Sequence, residues 1–245
     1  MTTMRRIVIT GASSGIGAAL AKRYATRGVT LGLVARRSER LDAVRTACER
    51  AGARVYTFVV DVRDAKGVDR VARAFVSSVG GIDLVIANAG IFRSCSALTS
   101  SPDKINEIIT TNVIGVVNTL VAFIPTMRVQ RAGTLVVVSS VAGFKGLPGG
   151  AYSASKAAVR YLADGWRPEL RRAGIQLTTV YPGFVDSEMT QAKQQYPFLV
   201  SADRAAQEIA WAADRGKGEH MFPWQWRVLA PLLRMLPAWF YARRF

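Results

Sequence analysis

Apolar residues in this chain fall in short, β-branched runs separated by longer stretches with helical spacing. Arg6–Thr10 (RIVIT) predicts a strand, the glycine-rich Gly11–Gly17 a turn, and the alanine-rich Ala18–Thr26 a helix. Val29–Ala35 predicts a second strand, and Arg37–Ala51 a helix whose Leu41, Val44 and Ala47 share one face. Arg54–Val60 predicts a strand, Lys66–Val79 a helix, and Leu84–Ala87 a short apolar run. A long helix is expected over Pro102–Leu120, continuing towards Met127. The strand Thr134–Ser139, a helix over Ser153–Ala173, the strand Ile175–Tyr181 and a last strand near His220–Phe222 complete the pattern. Pro168 inside its helix predicts a kink or an early break, because proline removes a donor and clashes with the preceding turn.

These strands are continuously apolar, not alternating, which means burial on both faces. With helices between them, the economical arrangement is an α/β fold: one doubly wound parallel sheet of about seven strands, helices on both faces, and right-handed crossovers. No linker or internal repeat divides the chain. Residues 1–222 read as one Rossmann-type domain, and 223–245 as its apolar and basic C-terminal extension.

Composition narrows the chemistry. Apolar residues make up 50% and charged residues 20%, enough for a sizeable core and against general disorder. Two cysteines, Cys48 and Cys95, make no disulfide framework, and a single histidine, His220, argues against a zinc site or a Ser-His-Asp triad. No metal site is expected. Lys+Arg 33 against Asp+Glu 17 gives a net charge of +16, its excess spread over two stretches, 1–60 and 121–180, and not gathered in a tail. Such a surface attracts phosphorylated ligands or anionic lipid. No nucleic-acid motif with interleaved aromatics accompanies it, so nucleic acid is not an expected partner. The apolar run Ile7–Ile9 ends at once in Thr10-Gly11 and is too short for a signal core. Ile108–Met127 carries no charge, but Thr110, Thr111, Asn112, Asn118 and Thr119 make it a buried core helix and not a membrane span. A cytoplasmic protein is expected, peripheral at the inner membrane surface if its C-terminal extension meets lipid.

The first strand runs into Thr10-Gly11-Ala12-Ser13-Ser14-Gly15-Ile16-Gly17, directly before a helix. Glycines there permit a tight turn and close backbone approach to a pyrophosphate, which the helix N-terminus stabilises. The second strand ends Val34-Ala35-Arg36-Arg37-Ser38, where an NAD site would place a carboxylate. Arg36 instead suits a 2′-phosphate, so NADP(H) is favoured over NAD(H). Tyr152 and Lys156 lie four apart on one helix face, and an ammonium near a phenol lowers the phenol's pKa. A phenol so tuned exchanges a proton with a substrate oxygen, which Ser139 or Ser140 at a strand end could orient.

The ordered set Thr10-Gly11-x-x-x-Gly15-x-Gly17, Asp61-Val62, Asn88-Ala89-Gly90, Asn112, Ser139-Ser140, Tyr152-x-x-x-Lys156 and Pro182-Gly183 resembles the short-chain dehydrogenase/reductase family in its catalytically complete form, over residues 5 to about 222. The resemblance implies that Gly11, Ser13, Ser14, Gly15, Ile16 and Gly17 bind the pyrophosphate region, and Arg36 the adenosine 2′-phosphate. It places Asp61 and Val62 at the adenine and Asn88-Ala89-Gly90 beside the cofactor. Pro182, Gly183, Val185 and Ser187 come at the nicotinamide end. Tyr152 is then the general acid of reduction, Lys156 also binds the nicotinamide ribose, and Asn112 keeps a water in a proton relay through Lys156. The family's serine heads a Ser-x-x-Gly step, here Ser140-Val141-Ala142-Gly143, which selects Ser140. Counting back from Tyr152 points to Ser139.

The implied activity is an NADPH-dependent oxidoreductase reducing a hydrophobic or bulky ketone or aldehyde, built as a homodimer or homotetramer. Alternatives are an alcohol dehydrogenase running oxidatively, a nucleotide-sensing module, and a membrane-surface protein. Ile91–Ser101, Phe144–Ala151 and Glu188–Val200 are expected to set specificity, with Met189, Tyr196, Phe198 and Leu199 favouring an apolar substrate. Cys95 is expected to be an unreactive thiol near that pocket and His220 to have no catalytic role. In the extension, Pro231 and Pro237 predict two or three short helices. On a helical reading Arg227, Pro231, Arg234, Ala238 and Ala242 recur at three- and four-residue steps, with Arg243 and Arg244 just beyond. Leu229, Leu232, Leu233, Leu236 and Phe240 crowd the remaining surface, a pattern suited to a partner subunit, the substrate pocket or a membrane interface.

Overall fold

The computed structural model describes residues 5–190 and 196–235. Strands β1 (Arg5–Thr10), β2 (Val29–Ala35), β3 (Arg54–Val59), β4 (Leu84–Ala87), β5 (Gly133–Val138), β6 (Ile175–Pro182) and β7 (Glu219–Phe222) form one sheet. Their order is β3-β2-β1-β4-β5-β6-β7, and every neighbouring pair is parallel. The helices are α1 (Gly15–Tyr24), α2 (Ser38–Arg50), α3 (Ala65–Val79), α4 (Pro102–Ile109), α5 (Gly115–Gln130), α6 (Ala151–Arg172), α7 (Ala202–Asp214) and α8 (Gln225–Met235). This is the doubly wound Rossmann-type sheet that the alternating pattern predicts.

Continuous apolarity in the strands has a direct structural cause: successive residues feed two different cores. Ile7, Ile9, Leu84, Ile86, Val136 and Val138 pack on one side of the sheet with Leu20 of α1, Leu41 of α2 and Ile209 of α7. Val8, Val85, Leu135 and Val137 pack on the other with Phe75 of α3, Phe123 of α5 and Val159 of α6. Phe75 is fully buried, and truncating such a side chain to alanine costs about 3–5 kcal/mol.

Four features depart from the sequence reading. Helix α7 has no counterpart there, although Ser201 caps it through Oγ and Ala205, Ala206, Ile209 and Ala210 form its buried face. Pro168 does not break α6, which continues to Arg172. The proline falls near the helix end, where few intrahelical bonds remain to be lost, and buried Leu170 anchors the last turn. The expected long helix is interrupted by a π-helical turn, Thr110–Ile114, between α4 and α5. Pro231 lies inside α8 without ending it.

The helical stretch Pro102–Gln130 is long and apolar enough to cross a bilayer. It is nevertheless a core element here, with Val116, Leu120, Phe123 and Met127 of α5 buried and the helix packed on α3 and β4. The expected Pro237 break and the side chains of Leu233, Arg234 and all of 236–245 lie outside the described residues, as do 191–195 within the expected specificity loop.

Candidate active site

Strand order reverses between β1 and β4, and the crevice beyond the carboxyl ends of those strands is where sheets of this kind take ligands. The topology delivers the sequence-predicted residues there. Gly11 follows β1, Arg36 follows β2, Asp61 lies just beyond β3 and Asn88 follows β4. Ser139 and Ser140 follow β5, and Gly183 follows β6. Tyr152 and Lys156 come from the first turns of α6, and Asn112 from the π turn.

The Gly11–Gly17 turn is tied to Asn88. The Asn88 side-chain amide donates to the Thr10 carbonyl (3.0 Å), and the main-chain N–H groups of Asn88 and Ala89 donate to Thr10 Oγ1 (3.2 Å each). Gly11 has φ +68°, and a β-carbon there would lie 2.8 Å from Ala89 Cα. At Gly17 it would lie 2.7 Å from Asn88 Nδ2. Both positions therefore accept only glycine, one for its conformation and both for the close approach. A β-carbon on Gly15 would come 3.4 Å from Ser187 Cβ, so this loop and the segment after β6 face each other across the crevice. With Ile16 packed on the core and α1 pointing its N-terminus at the turn, the loop is shaped to receive a pyrophosphate.

At one end of the crevice the groups are charged and half exposed. Arg36 stands 3.6 Å from Asp61, and Arg63 holds the same carboxylate at 2.6 Å. Burial pushes the Asp61 pKa up, but the hydrogen bonds and charge of Arg63, with Arg36, more than offset this and leave it below the usual carboxylate value. Val62 is buried beside Gly115, its carbonyl held by Asn118 Nδ2 at 2.9 Å. Arg37, not Arg36, spans the glycine loop, donating to Ser14 Oγ (2.7 Å) and Ser13 Oγ (3.3 Å). Arg37 also pairs with Glu188 at 2.8 Å, and Arg40 pairs with the same carboxylate.

At the other end Ser139, Ser140, Asn112 and Lys156 are buried and Tyr152 is partly buried. Ser139 Oγ donates to the Lys156 carbonyl (2.8 Å) and is spent on holding α6 against β5. Ser140 caps the short turn Val141–Phe144, accepting from Ala142 N–H (3.1 Å), and its side chain hydrogen-bonds to Tyr152. Lys156 is buried, and its Nζ donates to the Val138 carbonyl at 2.8 Å. A β-carbon on Gly90 would lie 3.2 Å from Asn112 Oδ1 and 3.5 Å from Lys156 Nζ, so the amide and the amine converge on that glycine. Asn112 is otherwise occupied: Oδ1 accepts from Ile91 N–H (2.8 Å), and Nδ2 donates to Ile91 O (2.9 Å) and Ser155 Oγ (3.0 Å).

The electrostatics differ from the sequence expectation in one respect. Burial pushes the Tyr152 phenol above its ordinary pKa, and the hydrogen bond from Ser140 pulls it only part of the way back. Lys156 does not reverse this. Its Nζ lies 5.8 Å from the centre of the tyrosine ring and is bonded to a carbonyl, and its own desolvation pushes its pKa down to about 8. Desolvation of both groups outweighs their mutual attraction.

Beyond β6, Val185 is buried and bridges to Val200, while Ser187 is fixed by its N–H to Thr190 Oγ1 (3.0 Å). Four residues near the crevice were not singled out in the sequence reading, although Phe92 and Glu188 fall within the expected specificity segments Ile91–Ser101 and Glu188–Val200. Arg37 was legible as the neighbour of Arg36. Glu188, Phe92 (ring edge-on to Tyr152 at 5.4 Å) and Trp226 are brought in by tertiary folding and carry no local signal. Cys95 is partly buried, with its main chain against Gly149 in the loop before α6. His220 bonds Glu208 at 2.9 Å, behind α7.

Comparison with known proteins agrees with this architecture. Residues 5–197 match the family model described as short chain dehydrogenase. An oxidoreductase of Myxococcus xanthus, described as uncharacterized, is 40% identical over 235 residues, which cover 95% of this chain and 93% of that protein. A short-chain dehydrogenase from Mycobacterium paratuberculosis bound to NAD superposes with a TM-score of 0.81 at 25% identity, covering 89% of this chain and 96% of that one. An alcohol dehydrogenase from Thermococcus sibiricus complexed with 5-hydroxy-NADP superposes with a TM-score of 0.79 at 27% identity, with the same coverages of 89% and 96%. The chain belongs to the short-chain dehydrogenase/reductase family. It is an oxidoreductase that works with a nicotinamide cofactor on a small-molecule substrate.

Proposed function

We propose that this protein is an NADPH-dependent reductase of apolar or bulky ketones and aldehydes. The observation that carries the reading is the Ser140–Tyr152 hydroxyl pair beside buried Lys156, at the carboxyl edge of the sheet. Two hydroxyls that share a hydrogen bond can both address one substrate oxygen, whereas the Ser139 hydroxyl is committed to the Lys156 carbonyl. That favours Ser140 as the orienting group.

The residues present fit the cofactor. The glycine turn, Ser13 and Ser14 would hold the pyrophosphate side, with Asp61 and Val62 at the adenine. Asn88-Ala89-Gly90, Pro182-Gly183, Val185 and Ser187 would flank the nicotinamide side. Absence of a carboxylate after β2, and the presence of Arg36 and Arg37 instead, favours NADP(H). When bound, the nicotinamide supplies the hydride. Ser140 donates a hydrogen bond to the carbonyl oxygen, and Tyr152 transfers its phenolic proton to that oxygen as charge develops there. Lys156, with a pKa of about 8, is largely protonated at neutral pH and places a positive charge near the ring, which favours the phenolate left behind without outweighing the cost of burying it. Asn112 positions the Ile91 main chain on the substrate side and sits beside Lys156, where a bridging water would complete the proton return.

An apolar substrate is supported by Phe92 next to Tyr152 and by Phe184, Tyr196, Phe198 and Trp226 beyond Gly183. Exposed Ile114, Val121 and Tyr161 on the α5 and α6 side support a homodimer or homotetramer. The deciding experiment is a panel of carbonyl compounds with NADPH or NADH, read at the nicotinamide absorbance. Turnover of apolar ketones or aldehydes with NADPH preferred is the expected result. Equal use of both nucleotides would remove the NADP assignment, and no turnover would remove the reductase reading.

A further inference from the structure

Helix α8 follows the residues that match the family model and has two contrasting sides. Trp226 (8% exposed) and Ala230 (1%) face inward. The Trp226 indole lies over Gly183, where a β-carbon would come 2.6 Å from its Cδ1, and its ring stands 6.0 Å from those of Phe184 and Phe198. The helix also packs on the Val141–Phe144 turn that Ser140 caps. The inward face therefore seals α8 to the rim of the active site.

The outward face is apolar as well. Trp224 (67% exposed), Val228 (57%), Leu232 (53%) and Met235 (81%) recur at steps of three and four residues, forming one stripe along the helix. Phe198 and Leu199, on the segment that Trp226 braces, are also exposed. A stripe of this kind on a well-anchored helix is not a packing accident, since the same helix turns smaller or deeper residues inward. In the sequence, the chain continues beyond it with Trp239, Phe240, Tyr241, Arg243 and Arg244.

We propose that α8, with Trp224, is a docking surface for an anionic lipid bilayer, which holds the rim of the active site against the membrane. Two observations choose a bilayer over a second copy of the chain. The net charge of +16 favours an anionic surface over a second, equally basic copy of the chain. A single-helix apolar stripe that ends in an exposed tryptophan is also the arrangement of an interfacial helix, with the ring at headgroup level. With the reductase reading above, such docking brings carbonyl compounds dissolved in the lipid to the site without passage through water.

The test uses the full-length protein and needs no substrate, so its outcome is independent of the reductase reading. Wild type is sedimented with vesicles of phosphatidylcholine mixed with phosphatidylglycerol, and with phosphatidylcholine alone, at low and high salt. Binding to the anionic vesicles, weakened by salt, is expected. A Trp224→Ser, Leu232→Ser double variant changes only exposed residues. It should bind at least ~tenfold more weakly, with unchanged cofactor affinity and sedimentation coefficient. Brominated acyl chains should quench part of the tryptophan emission, and Trp224→Phe should remove that part while vesicle binding persists. Failure of wild type to pellet with anionic vesicles at low salt overturns the proposal. So does undiminished binding by the double variant, or an oligomer that dissociates in it, which would assign the face to a second copy of the chain.

Discussion

The two ends of the crevice solve different problems with different physics. At the charged end, proposed to take the adenosine, Arg36, Arg37, Arg40 and Arg63 meet Asp61 and Glu188 in half-exposed ion pairs. Each such pair is worth little in water, so selectivity there must come from several charges acting together. At the reactive end, Ser140, Lys156 and Asn112 are buried, and burial moves the pKa of both Tyr152 and Lys156. A single group at the reactive end should therefore matter far more than a single group at the adenosine end.

The largest expected effect tests that contrast directly. Tyr152→Phe keeps the ring that packs on Phe92 but removes the proton, so turnover should fall at least ~10²-fold while nucleotide titration shows unaltered binding. Near-normal turnover would end the assignment. The two serines should then separate. Ser140→Ala should lower turnover by about tenfold or more. Ser139→Ala, which loses the bond to the Lys156 carbonyl, should appear mainly as about 1 kcal/mol in urea unfolding. The opposite ranking would return the role to Ser139.

A pH experiment isolates the burial at the reactive end. Because the Lys156 pKa falls from 10.5 to about 8 on folding, the folded state binds fewer protons between those values, and stability gains a contribution that rises with pH across that window. Tyr152, shifted upward, opposes it only above about pH 10. Between pH 8 and 10, wild type should therefore gain about 2–3 kcal/mol relative to Lys156→Met, measured by denaturant unfolding. Parallel curves would mean that the amine is solvated.

The adenosine end should give smaller numbers. Arg36→Ala or Arg37→Ala should each weaken NADPH by about tenfold and leave NADH nearly unchanged. Glu188 occupies Arg37 and Arg40, so its carboxylate competes with any phosphate brought there. Glu188→Gln should tighten NADPH by about two- to fivefold in a fluorescence titration, with no effect on NADH. A weaker NADPH complex in that variant would show that Glu188 supports the site.

Much of this was legible along the chain, unevenly. The strands were read close to their observed bounds because those at the centre of the sheet are buried on both faces and so are β-branched runs, while the edge strand β3 is only partly buried. The glycine turn and the Tyr152-x-x-x-Lys156 pair were legible from their own spacing, whereas Asn88 and Ser140 were reached only through the resemblance to the family's ordered motifs. Helix α7 escaped because its buried face is mostly alanine, which carries little apolar signal. Pro168 and Pro231 misled because the propensity of one residue was outweighed by the packing of Leu170 and of Trp226 with Ala230.

The sequence by itself determined the sheet and its parallel winding, which follow from periodicity, and, through its resemblance to the family, the groups expected at the carboxyl edge. Only the tertiary structure showed that Ser139 bonds the Lys156 carbonyl while Ser140 bonds Tyr152, that Arg37 and not Arg36 spans the glycine loop, and that burial pushes the tyrosine's pKa up where its lysine neighbour was expected to lower it. It also decided which side of α8 faces out. Those outcomes depend on burial and on contacts between residues far apart in the chain, and desolvation is a property of the packed molecule that no local pattern encodes.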